Sequence, residues 1–164
     1  MTVGAQALPD TARLEAWIRF LRAHAALTRE LSAELVAEHR LTINDYEVLL
    51  HLARAPEKRM RRVDLAESVL LTASGITRLL EGLERAGLVE RVLCESDRRV
   101  AYAKLTPDGY EKLREASRTH VAGIESLFIG RFTDDERRTL STLLARLPGA
   151  AAETDGDCEP PEES

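Results

Sequence analysis

Asp97-Arg98-Arg99 ends a polar run, Glu95 to Arg99, that separates two segments rich in β-branched and apolar residues, 88–94 and 100–106. A run of this kind at the tip of a two-stranded hairpin projects guanidinium groups from a small rigid platform. A narrow A·T-rich minor groove is strongly negative and accepts an inserted arginine. Asp97 can order Arg99 through a charge-assisted bond. A second group, Ala73, Ser74, Thr77 and Arg78, shares one helical face. Arg78 can pair bidentately with guanine O6/N7, Ser74 and Thr77 can bond bases or phosphates, and Ala73 can touch a thymine methyl. A third is the basic run Arg54, Lys58, Arg59, Arg61 and Arg62, broken only by Glu57, which suits sequence-independent contact with phosphates. Taken singly, the tip also reads as a solvated turn and the helical face as an ordinary surface.

Catalytic and metal chemistry have no comparable footing. H-E-x-x-H, G-x-S-x-G, Walker and G-x-G-x-x-G patterns are all missing. His24, His39, His51 and His120 are scattered, and none pairs with a cysteine at a ligand spacing. Cys94 and Cys158 make neither a disulfide framework nor a zinc site. No catalytic residue, metal or cofactor is expected.

The elements that must position these groups follow from periodicity and caps. Residues 11–38 carry Leu14, Leu21, Thr28 and Leu35 seven apart, with Trp17, Ile18 and Leu31 beside them, which predicts a long helix. A second helix spans about 43–53, capped by Thr42 and ended by Ala55-Pro56. Residues 63–69 predict a short helix, 70–72 a turn, and 73–86 a helix with Ile76, Leu79, Leu80 and Leu83 on its apolar face. Gly87 stops that helix. The hairpin follows, and Thr106-Pro107 opens a helix to about residue 129. Thr133 and Glu136 form a capping-box pattern before a last helix reaching residue 147. Short helix, tight turn, helix and hairpin make a winged helix-turn-helix. The expected class is mainly α with a small two-stranded wing (α+β).

The 164 residues suit a single domain, 11–147, after a loose lead of residues 1–10. The chain has 23 Lys+Arg against 28 Asp+Glu, net −5, which by itself argues against nucleic acid. The distribution reverses that argument. Residues 148–164 predict an acidic, disordered tail holding six of the acids and no Lys or Arg. Residues 1–146 carry a net +1, and residues 54–106 a net +3. No apolar run reaches a membrane span and the N-terminus lacks signal-peptide order, so a soluble cytoplasmic protein with no membrane partner is expected.

Residues from about 41 to 113 resemble the DNA-binding region of MarR-type transcriptional regulators. The strongest match is Asp97 to Gly109, which fits that family's D-x-R wing, second wing strand and L-T-x-x-G helix start. Asp64-Leu65-Ala66, Ser74 to Leu79 and Leu83 to Val89 are similar to its helix-turn-helix, in order and at the family spacing.

The resemblance implies a homodimer built by residues 11–40 and 107–147, with 41–106 binding a palindromic operator on double-stranded DNA. Arg99 would enter the minor groove and Asp97 would order it; Arg61 and Arg62 would meet phosphates at the approach. The family often binds small aromatic anions between its dimerisation helices and winged lobe, releasing DNA. Trp17, His24, Tyr46 and His51 are the candidates for such an effector pocket, and each also reads as packing or surface. Glu47 and Gly82 depart from the branch of the family that responds to urate. The cysteine near the start of the first helix that serves other members as an oxidant sensor is missing. The expected function is a DNA-binding regulator, by family analogy a repressor, released by a small aromatic or anionic ligand. A winged protein-interaction module without DNA is the alternative.

Overall fold

In a computed structural model, residues 11–69, 71–94 and 100–148 are described. The lead 1–10, Leu70 in the expected turn, the hairpin tip 95–99 with Asp97, Arg98 and Arg99, and the tail from 149 onward lie outside the described residues. Among the described residues six α-helices and a small sheet follow one another: α1 (Thr11–His39), α2 (Ile43–Arg54), β1 (Arg59–Arg61), α3 (Arg62–Ser68), α4 (Ala73–Arg85), β2 (Val89–Leu93), β3 (Ala101–Leu105), α5 (Pro107–Leu127) and α6 (Asp134–Leu144).

Threonine caps set most helix starts. Thr42 accepts from the Asp45 N–H at 3.2 Å while the Asp45 carboxylate accepts from the Thr42 N–H at 2.8 Å, a reciprocal box that fixes the start of α2. Thr72 caps α4 by accepting from Gly75 N–H at 3.1 Å. Thr133 and Glu136 repeat the box at α6, and those bonds hold the Glu136 carboxyl below its ordinary range. Gly87 ends α4 at φ +73°: its N–H donates to Glu84 and that of Leu88 donates to Leu83, a Schellman closure.

The core lies where α2 meets α5, β3 and the helix-turn-helix. Tyr46, Val48, Leu49 and Leu52 of α2 pack with Leu65, Ile76, Leu80, Leu83, Leu105 and Leu113. α1 crosses α5 at Gly123, where a side chain would run into Leu31 and Glu34.

The expected two-stranded wing is present as β2 paired with β3, and β1 joins its other edge to make a three-stranded antiparallel sheet in the order β1-β3-β2. Arg59–Arg61 pairs with β3, placing Arg59 opposite Lys104 and Arg61 opposite Tyr102. Three residues, two of them arginine, carry too little hydrophobic alternation to be read as a strand; the open edge of β3 recruits them. The last helix ends at Leu144 rather than 147, and α5 at Leu127 rather than about 129.

Candidate nucleic-acid interface

α4 is the element around which the site is built. Ile76, Leu80 and Leu83 are buried on one side, which turns Ser74, Arg78, Glu81 and Arg85 to solvent on the other. Thr77 is half-buried beside them. Thr72 Oγ1 and Ser74 Oγ lie 3.3 Å apart, so two hydroxyls stand at the helix start. Of the predicted group, Ser74, Thr77 and Arg78 thus share one region, and Ala73 opens the helix.

Arg61 and Arg62 separate. Arg61 is exposed at the end of β1. Arg62 turns inward: one guanidinium nitrogen lies 3.9 Å from the Glu84 carboxylate on α4, and its buried Nε has no hydrogen-bond partner among the described residues. That geometry sets the Arg62 guanidinium between α3 and α4, partly covered. Asp97, Arg98 and Arg99 lie outside the described residues. The strands that carry them pair in register from Val89–Leu105 to Leu93–Ala101, and Cys94 N–H donates to Val100 at 3.0 Å. The hairpin therefore remains paired up to the tip.

The four candidates for an effector pocket do not converge within one chain. Trp17 and His24 are exposed on α1, joined through Phe20 by ring centroids 6.3 Å apart on each side. Tyr46 is a core residue, 2% exposed, with its hydroxyl 3.2 Å from Ser117 Oγ and its ring 4.7 Å from that of His120. An amphipathic ring on a helix reads alike for ligand and core; α2 is covered by several elements, and burial decides. His51 is half-buried farther along α2, and burial together with the Arg54 charge lowers its pKa. Glu47, half-buried, is raised by desolvation.

Sequence reasoning missed His120. It is 8% exposed, its Nδ1 has no hydrogen-bond partner among the described residues, and burial lowers its pKa. No periodicity distinguishes it from the other inward positions of α5. Among the described residues, no group of three His, Cys, Asp or Glu side chains could hold a metal ion. None of the described helices is long and apolar enough to cross a membrane.

A short helix, a turn, a second helix with a polar outer face and a paired hairpin define a winged helix-turn-helix protein. The comparisons with known proteins agree. Residues 40–100 match the family model described as MarR family. AbsC, a MarR family transcriptional regulator from Streptomyces coelicolor, is 35% identical, with 85% of this chain and 93% of that one covered and a TM-score of 0.76. Sco3205 from the same organism, solved in complex with DNA, is 28% identical over 83% of this chain and 88% of that one, with a TM-score of 0.77. An HTH-type transcriptional regulator of Bacillus cereus is 28% identical over 80% of this chain and 85% of its own length. The chain belongs to the MarR family of transcriptional regulators.

Proposed function

We propose that the chain is a homodimeric repressor that binds a palindromic operator through α4 and the hairpin tip and is released by a small ligand. The polar outer face of α4, held out by a fully apolar inner face, carries this reading. Family membership and a relative solved with DNA support it. Ser74, Thr77 and Arg78 meet base edges in the major groove, and Arg61 meets phosphate. Asp97 orders Arg99 for the minor groove, with Arg98 beside it.

The dimer is formed by residues 11–40 and 107–147. α6 buries none of its residues within the chain, and Leu143 is 48% exposed. Trp17 is 56% and Leu21 45% exposed on α1. Apolar surface of this extent marks an interface. A two-fold dimer sets two recognition helices about 34–36 Å apart, one turn of DNA.

Titration of fluorescent duplex from the gene's own upstream region, at fixed salt, tests the assignment. Arg99→Ala is expected to weaken binding by about 1–3 kcal/mol. Unchanged affinity would remove the tip from the interface.

A further inference from the structure

The end of α2, the turn after it, β1, the start of α3 and the outer side of β3 line an open surface hollow of about 410 Å³. Arg54 enters it from α2, Arg59 and Arg61 from β1, and Asp64 from α3. Tyr102 and Met60 supply apolar surface. We infer that this hollow binds a small phosphate monoester carrying an organic ring, at a place separate from α4 and the hairpin tip.

Charge sign and donor number select the ligand. Three guanidinium groups and His51 line the hollow against the Asp64 carboxylate, and Glu57 pairs with Arg59 from outside the lining, so the site carries a net +1 and favours an anion. A carboxylate satisfies one arginine fork, whereas the oxygens of a phosphate can engage several donors. The Arg59 guanidinium lies 5.2 Å from the Tyr102 ring centroid, so cation and aromatic face already stand together where a phosphate and its ring would lie. Asp64 can only accept, and so suits a hydroxyl or amine on the organic part. The volume lies within the range of small-molecule sites.

The rim is held in an unusual backbone shape. Glu57 and Lys58, neither glycine, both have φ +53°. Lys58 N–H donates to Ala55 at 2.9 Å, Lys58 Nζ sits 4.0 Å above the Tyr110 ring, and Glu57 pairs with Arg59 at 2.5 Å. Left-handed residues persist where their surroundings hold them in this way. The turn aims Arg59 and Arg61 from one short strand, and β1 runs directly into α3. A bound anion would compete with DNA phosphate for Arg61; this consequence alone rests on the DNA-binding reading above.

The test is a titration of the DNA-free full chain at constant ionic strength, followed by amide chemical shifts and calorimetry. The probes are phenyl phosphate, benzoate, and dimethyl phosphate as a stand-in for the nucleic-acid backbone. Phenyl phosphate is expected to saturate, to shift amides of β1 and Tyr102, and to bind at least about tenfold more tightly than either other probe. Arg54→Gln and Arg59→Gln are each expected to weaken it about tenfold. Equal binding of benzoate overturns the phosphate assignment. Equal binding of dimethyl phosphate makes the hollow part of the nucleic-acid surface. No saturable shift, or shifts confined to α4, removes the site. The three-probe comparison uses the unaltered protein, so misfolding of a variant leaves it intact, and the absence of DNA separates its failure from failure of operator binding.

Discussion

Thr106 joins three pieces of chain. Its hydroxyl donates to Gly87 O at 2.7 Å and accepts from Gly109 N–H at 3.0 Å, while its own N–H donates to Leu88 O at 3.1 Å. One residue thus closes the hairpin base, caps α5 and anchors the loop leaving α4. Gly109 completes the joint for a steric reason: a Cβ there would stand 2.0 Å from Leu88 O and 2.8 Å from a Leu105 methyl. The nearer obstacle is backbone and cannot rotate away. Gly109→Ala is therefore expected to destabilise the protein by about 1–3 kcal/mol in chemical denaturation. A change within experimental error would show the joint to be looser than these contacts require. The sequence carries this motif openly, as Leu105-Thr106-Pro107-Asp108-Gly109. The need for glycine is visible only once Leu88 is placed beside it.

At the scale of elements, α2 and α5 meet through a buried polar seam. Tyr46 bonds Ser117, Ser117 donates to Leu113 O at 2.8 Å, and the His120 ring lies tilted by 48° against Tyr46 with its Nδ1 unpaired among the described residues. Burial lowers the His120 pKa, so the folded state favours the neutral ring relative to an ordinary value near 6.5. Its contribution to stability is present above about pH 6.5 and is lost as pH falls through the lowered folded value. His120→Phe keeps a ring against Tyr46 and removes the proton site. Denaturation between pH 7.5 and 5 is expected to show a shallower loss of stability in the variant; parallel profiles would exclude His120 as a source. Two features that periodicity did not settle have related causes. Tyr46 became core because α2 is enclosed on several sides, and Arg59–Arg61 became a strand because β3 offers it a partner. Neither cause is local, and periodicity reports only local pattern. Caps are local, which is why Thr42, Thr72, Thr106 and Thr133 were legible at once.

At the scale of the molecule, the described residues of one chain leave apolar surface exposed on α1 and around α6. Leu147 is 43% exposed, and α6 has no core within the chain. Leu21→Glu combined with Leu143→Glu is expected to convert a dimer to a monomer in sedimentation. A wild-type chain that sediments as a monomer at micromolar concentration would contradict the interface. The net charge of −5 also changes meaning at this scale. The winged segment 54–106 is +3, and Arg61, Arg78 and Arg85 of that segment are exposed.

The most direct measurement of the central claim is selection from a randomised duplex library. The account predicts an enriched inverted repeat whose half-site centres lie about one helical turn apart. It further predicts that Arg78→Ala loses base preference at one position of each half-site. No enrichment over the input library, or an unchanged motif from Arg78→Ala, would contradict the assignment of α4 as the reading helix.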